Sequence, residues 1–246
     1  MMDLFEAPDF WVIGVAKSGD DSMIIRARSG VASEAPYSSH PIRLSVRIGV
    51  NSPNEQGLPT ETEGAELAAI EDAIVASIET PRHGRLCAVV TSTSGHRDLI
   101  FHASDRAWMA AWADTTREAT ASHQTKFSVK DDPEWSMVRR LADRATVAAK
   151  DEEAVRLLEQ NGFDTSLLHE IRYFMYFPSE ASADEAAQVL VDHEYRVDVH
   201  PAEDRWLVLA AHDERPNAGI IRLMRGMLTD FCQDYGGQFD GWEVKR

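Results

Sequence analysis

Ile42, Leu44, Val46 and Ile48 alternate with Arg43, Ser45, Arg47 and Gly49, and this period of two predicts a strand with one buried face. A loop bearing Pro53, Gly57 and Pro59 follows, and then Thr60 and Glu63 at the spacing of a capping box. Leu67, Ile70, Ile74 and Ile78 recur at helical intervals until Pro81. Leu86–Val90 and Asp98–His102, separated by Thr91-Ser92-Thr93-Ser94-Gly95, predict a hairpin. Ser104 is placed to cap a helix whose stripe is Trp108, Ala111, Trp112 and Ala119, and Lys126–Val129 predicts the closing strand. Upstream, the apolar runs Asp9–Ala16 and Ser22–Ser29 flank Lys17-Ser18-Gly19-Asp20-Asp21 and predict a further hairpin.

The same order returns after His169. Ile171–Phe177 predicts a strand, Ser182 and Glu185 a second capping box, and Ala186, Val189, Leu190 and His193 the helix behind it. Tyr195–Val199 and Trp206–Ala210 flank a Pro201-Ala202-Glu203-Asp204 turn. Ile220, Ile221, Met224, Met227, Leu228 and Phe231 form an amphipathic stripe that ends at Gly236-Gly237, and Phe239–Val244 predicts the last strand. Strand, helix, strand, strand, helix, strand is the ferredoxin-like order. The expected fold is therefore α+β: two tandem ferredoxin-like (βαββαβ) α/β sandwich domains, 1–148 and 149–246, the first extended by an N-terminal β-hairpin. Between them, one helix starting at Asp132-Pro133 and another at Asp151–Gln160 predict a helical join in place of a Gly/Ser linker.

Charge narrows the function. The 246 residues carry 41 acidic against 25 Lys and Arg side chains, a net −16, which disfavours a protein that tracks phosphates along nucleic acid. From Lys150 onward 20 acidic and 10 basic residues give −10, leaving −6 for the first part. Met1-Met2-Asp3-Leu4-Phe5-Glu6 has neither the basic nor the apolar region of a secretory signal, and no apolar run reaches the length of a membrane span. Cys87 and Cys232 are far apart and form no CxxC. A reduced, cytoplasmic protein without a membrane segment is the expectation.

Candidate chemistry is sparse. Nine histidines contain no HExxH, HxH or paired Cys/His spacing, and His96 and His102 on one strand would stand roughly 20 Å apart. No metal, cofactor or catalytic residue is expected. Gly95-His96-Arg97-Asp98 is the densest polar cluster of the first half, equally consistent with a solvated turn. Cys87 and Cys232 sit in apolar runs and read as buried thiols. On Tyr173-Phe174-Met175-Tyr176-Phe177 alternation sets Tyr173, Met175 and Phe177 against Arg172, Phe174 and Tyr176, so one face is core and the other is left to dock against the first domain or a protein partner. Base stacking there is opposed by the charge of this half. Trp242, in Asp240-Gly241-Trp242-Glu243, is either a partner anchor or a residue closing the core.

From about Asp151 onward the chain resembles the bacterial regulator of ribonuclease E activity, type B. The residues that carry this are Leu157-Leu158-Glu159-Gln160-Asn161-Gly162, His169-Glu170-Ile171, Tyr176-Phe177-Pro178, Ala186-Ala187 with Leu190, Trp206, and Asp240-Gly241-Trp242-Glu243 after Gly236-Gly237. Residues 8–145 look like the uncharacterised bacterial family known as domain of unknown function six-nine-five, through Trp11, Arg47-Ile48, Gly57-Leu58-Pro59, Glu71-Asp72, Thr91, Gly95-His96-Arg97 and Asp132-Pro133-Glu134-Trp135. The first resemblance implies an acidic domain that binds the ribonuclease, or its degradosome scaffold, and restrains RNA cleavage without chemistry of its own. The second implies no activity.

The leading expectation is thus a non-enzymatic inhibitor of ribonuclease E-type RNA degradation. It would bind a basic protein segment, not nucleic acid, through Asp240, Trp242 and Glu243, with Tyr176 and Trp206 as anchors. The alternative is a small enzyme or ligand-binding protein using Arg47, Glu71, His96 and Arg97 in a polar site between the domains. A purely structural partner in a larger assembly is a third reading, and oligomeric state is left open.

Overall fold

The computed structural model describes residues 3–18, 21–120 and 122–245. The chain divides into two compact units, Met1–Ala149 and Lys150–Arg246. In unit 1 the strands are β1 (Val12–Ser18), β2 (Asp21–Ala27), β3 (Ile42–Gly49), β4 (Gly84–Ser92), β5 (His96–Ala103) and β6 (Thr125–Asp131), and the helices are α1 (Ser29–Glu34), α2 (Glu61–Glu79) and α3 (Arg106–Ala119). The sheet order is β1-β2-β4-β5-β3-β6. Its last four strands with α2 and α3 are the ferredoxin-like core, and the N-terminal hairpin extends the sheet when β2 pairs antiparallel with β4.

Alternation fixes the two faces of this sheet. Leu44, Val46, Ile48, Val89, Leu99 and Phe101 turn towards Leu67, Ile74 and Ile78 of α2 and Met109 and Trp112 of α3. Ile25, Ala27, Ala88, Val90 and Ile100 turn the other way, onto Trp135, Val138, Ala142 and Ala145. Those last three belong to α4 (Ser136–Gln160), which adds a third layer on the face a two-layer sandwich leaves bare. Covered on both faces, β4 is buried at every position, which is why its sequence reads as a continuous apolar run without alternation.

Unit 2 repeats the core with β7 (His169–Phe177), α5 (Glu180–Asp192), β8 (Arg196–Ala202), β9 (Arg205–Glu214), α6 (Ala218–Asp234) and β10 (Gln238–Val244), in the order β10-β7-β9-β8. Ile171, Tyr173, Met175 and Phe177 form its core with Ala186 and Leu190 of α5 and Ile221, Met224 and Leu228 of α6. No helix among the described residues of this unit lies over the opposite side, where Phe174 and Tyr176 are half-buried beside Leu209 and Leu207, their partners on β9.

Several boundaries differ from expectation for local reasons. The two expected linking helices are one, α4, because nothing between Ala142 and Val155 interrupts the backbone ladder: the stretch lacks Gly and Pro. Thr60 caps α2 by accepting from the Glu63 amide at 3.5 Å, but the Glu63 carboxylate does not close the box. It accepts instead from the Asn51 amide and contacts His123. Asp105, not Ser104, caps α3, accepting from the amides of Ala107 and Trp108. Ser179, not Ser182, caps α5. Pro201 lies inside β8, which tolerates it as the edge strand, so the turn shrinks to Glu203-Asp204. The turn expected at Lys17–Asp21 falls partly on Gly19 and Asp20, outside the described residues. Short α1 was not legible in a stretch rich in Ser and Pro.

Candidate functional site

In unit 2, β10 carries most of the expected interface. A bulge between Phe239 and Gly241 shifts its register against β7, so that Phe239 opposes Met175 and Trp242 opposes Tyr173, both on the helix side. Asp240 sits exposed at that bulge. Trp242 is half-buried, and its Nε1 donates to Asp151 Oδ1 at 2.9 Å. Asp151, on α4, also takes both arms of the Arg225 guanidinium. Asp151 thus bridges the helix, α6 and β10.

Around this knot lies a groove of about 900 Å³, lined by Asp151, Leu157, Leu158, Phe163, Arg225, Trp242, Glu243 and Val244 among others. Leu157 on its wall is 45% exposed, an apolar side chain left facing water. Glu243, one residue on from Trp242, points to the other face of β10, where Arg172 Nη1 donates to it at 3.4 Å. Tyr176 belongs to that open face and lies beneath the Arg205 guanidinium, 4.5 Å from its ring centre. Trp206 opposes Phe177 and packs half-buried against the core. The structure therefore puts Asp240, Trp242 and Glu243 on one strand but turns Trp242 and Glu243 to opposite faces of it, and it likewise sets Tyr176 and Trp206 on opposite faces of the sheet.

The arginines of unit 2 reach carboxylates on α4, β7, β9 and β10. Arg172 and Arg196 both meet Glu170, and Arg222 meets Glu152. On α5, Glu180, Asp184, Glu185 and Asp192 have no ion pair among the described residues. Surface pairs of this kind contribute about 0–1 kcal/mol each, so their effect is on the shape of the field more than on stability.

In unit 1 the sheet separates the four residues of the alternative site. Arg47 pairs with Asp98 through two 2.7 Å bonds, which raise its pKa, and His96 Nε2 lies 3.6 Å from the same carboxylate. Both belong to the face that carries Asp98. Arg97 faces the other way, opposite Ile48 and Thr91, and meets Glu71 of α2 at 3.5 Å. Glu71 also contacts Arg26. Glu71 and Arg97, with Arg26, line a pocket that Arg47 and His96 do not reach.

One group missed from the sequence joins residues far apart in it: Glu63, Glu66 and His123 each place a ligand-type atom within 4.8 Å of the others. Glu63 and Glu66 stand one turn apart on α2, yet His123 comes from beyond α3, so no spacing rule could have found the set. His123 Nε2 is 3.1 Å from Glu63, whose Oε1 also accepts from the Asn51 amide at 2.8 Å. The trio therefore has a structural account as a braced helix start. Burial raises the thiols of Cys87 and Cys232 to about 12, and neither is poised as a nucleophile.

Two α+β units with the ferredoxin-like strand order, one with a groove and an acidic helix face, define a tandem of small sheet domains without a recognisable catalytic constellation among the described residues. The chain belongs to the family of unknown function DUF695, whose model matches residues 9–142. Residues 148–244 match the model for regulator of ribonuclease activity B. Comparison with curated proteins found no match. No helix among the described residues is long and apolar enough to cross a membrane.

Proposed function

We propose that the chain is a non-enzymatic cytoplasmic modulator of RNA degradation, whose second unit binds a basic, apolar-anchored segment of a ribonuclease E-type enzyme or its scaffold and so restrains cleavage. The observation that carries this reading is the groove at Trp242. It offers an apolar floor of Leu157, Leu158, Phe163 and Val244, with Glu243 in its lining and exposed Asp240 beside Gly241 at its edge. Apolar anchors in a concave patch supply affinity, and the surrounding charge supplies orientation and rate. The net −10 of residues 150–246 steers a basic segment towards this unit. The match of residues 148–244 to a regulator of ribonuclease activity supports the same reading.

The test is calorimetric titration of the full chain with the basic scaffold segment of the host's ribonuclease E at two salt concentrations, beside an RNA-cleavage assay. Binding that weakens with salt, together with slowed cleavage, is expected. The double variant Asp240→Lys/Glu243→Lys should lose the salt-dependent part, and Leu157→Ser should lower affinity at both salts. Unchanged affinity in both variants would remove the groove from consideration.

A further inference from the structure

We propose that unit 1 binds a small organic carboxylate, a monoanion with an apolar body, in the pocket between the β1–β2 hairpin and the N-terminal half of α2. The pocket exists because α2 covers β3, β4 and β5 but stops short of the hairpin. On the same face of the sheet Ile13 is 59% exposed and Ile24 36%. Their side chains form one wall, Leu58 and Pro59 the other, and the enclosed volume is about 490 Å³, within the size range of small-molecule sites.

The second wall is held in place before any ligand arrives. Asn54 Oδ1 accepts from the amides of Gln56 and Leu58, both at 3.0 Å. Pro53 and Pro59 form a β-bridge. Gly57 has φ +79° and lies so close to Thr93 that a Cβ would stand 2.1 Å from its carbonyl oxygen. A fixed wall lowers the ordering cost of binding.

The polar end of the pocket is short of negative charge. Glu71 there meets two guanidinium groups, Arg26 and Arg97. Its bond from Arg97 Nη1 is long, at 3.5 Å, and Arg97 Nε is spent on Thr91 Oγ1 at 3.3 Å. Arg26 Nε is buried with no acceptor among the described residues. Burial already holds the Arg97 pKa below its ordinary value. At this end two cations meet one anion, a local +1 inside a unit whose total is −6; Glu61, the other carboxylate in the lining, is exposed at the start of α2, ten residues before Glu71. A single carboxylate neutralises that local excess, whereas a dianion would overshoot it. Planar carboxylates suit guanidinium donors, and the apolar walls define the rest of the molecule. This inference concerns unit 1 only and stands or falls apart from the regulator reading of unit 2.

The experiment is titration of the full chain with 3-phenylpropionate, followed by amide chemical shifts and calorimetry, with 3-phenylpropanol as the uncharged control. Saturable shifts at Gly64, Thr91 and Arg97 are expected, with the alcohol about tenfold weaker or worse. Arg97→Gln and Arg26→Gln should each weaken the acid about fivefold or more and leave the alcohol unchanged. Gly64→Phe supplies a variant that keeps the fold. Gly64 lines the pocket, and a Cβ built there meets nothing within 4 Å; its ring should block both probes without lowering thermal stability. Absence of saturable shifts up to about 10 mM, equal binding of acid and alcohol, or binding unaffected by Gly64→Phe would each overturn the proposal. Tighter binding of phenyl phosphate than of the carboxylate would overturn the monoanion assignment.

Discussion

Trp242 Nε1 donates to Asp151 Oδ1 at 2.9 Å, tying the last strand of the second unit to the helix that begins it. Two roles for this tryptophan, packing and partner anchoring, look exclusive in the sequence. In the structure the two are compatible: the indole is fixed by its N–H while its ring remains half-buried in the wall of a groove. An anchor held in this way has lost its rotamer freedom before a partner arrives, which is how aromatic side chains become binding hot spots.

The same knot sets a stability prediction. Asp151 is almost fully buried and accepts from Arg225 and Trp242 at once. Removing the carboxylate leaves a partly buried guanidinium and an indole N–H without their acceptor. Asp151→Ala should therefore cost about 2–3 kcal/mol. Urea unfolding followed by tryptophan emission reads this loss, and a red-shifted native spectrum should accompany it. Asp151→Asn, which keeps an acceptor for Trp242, should recover the emission maximum but only part of the stability.

Acid should loosen unit 1 through His102. This side chain is fully buried, stacks on Trp135 with ring centres 3.7 Å apart, and has no hydrogen-bond partner at Nε2 among the described residues. Burial lowers its pKa from 6.5 to about 4, against the opposing pull of the His40 carbonyl at Nδ1 and of Asp132 nearby. Between those two values the unfolded chain binds a proton that the native state refuses, so stability rises with pH across the window. The contribution is complete above about pH 6.5 and is lost on acidification towards about pH 4, a total of about 3 kcal/mol. Urea midpoints across this range should show a smaller acid-side loss in His102→Phe than in the native chain. Equal slopes in the two proteins would mean that other groups carry the acid sensitivity.

How much of this was legible in the sequence depended on whether one face of an element met water. β3 and β7 alternate cleanly, and their faces were readable; β4, buried on both sides, carried no alternation to read. The ferredoxin-like order followed from element types alone. The third layer did not, because Trp135, Val138 and Leu141 announce an apolar stripe without saying which surface it covers. Caps were misplaced where two polar residues compete within a turn, as at Ser104 against Asp105 and Ser179 against Ser182. Of the candidate sites, Asp240, Trp242 and Glu243 share β10, yet Trp242 and Glu243 turn to opposite faces of it. Arg47 and Arg97 were named together but lie on opposite faces of the sheet, and Arg26, which completes the Glu71 pair, comes from a hairpin whose register only the fold supplies.

Thiol chemistry gives a simple check on both cores. Cys87 and Cys232 are fully buried, and burial in apolar surroundings raises each thiol to about 12. At about pH 8 almost no thiolate is present, and the reagent has no path to what there is. Neither cysteine should react with a disulfide reagent in the native protein over minutes, and both should react in urea. Rapid native labelling of Cys232 alone would show that unit 2 opens locally.

Two glycines at the unit 1 pocket, Gly64 in its lining and Gly57 in the loop behind Leu58 and Pro59, should respond in opposite directions to the same substitution. Gly57 has φ +79°, a region that costs an L residue strain, and a Cβ there would stand 2.1 Å from the Thr93 carbonyl oxygen. That oxygen is backbone and cannot swing aside, so Gly57→Ala must displace the loop or the β4–β5 turn, at about 2–4 kcal/mol. Gly64 lies inside α2 with an ordinary φ and nothing within 4 Å of an added Cβ. There the substitution removes only the excess freedom of the unfolded chain, and Gly64→Ala should stabilise by about 0.5–1 kcal/mol. Thermal unfolding of the two variants beside the native chain measures both signs. A destabilised Gly64→Ala would mean that α2 starts later than Glu61, and a neutral Gly57→Ala would mean that the wall formed by Leu58 and Pro59 is not braced against Thr93.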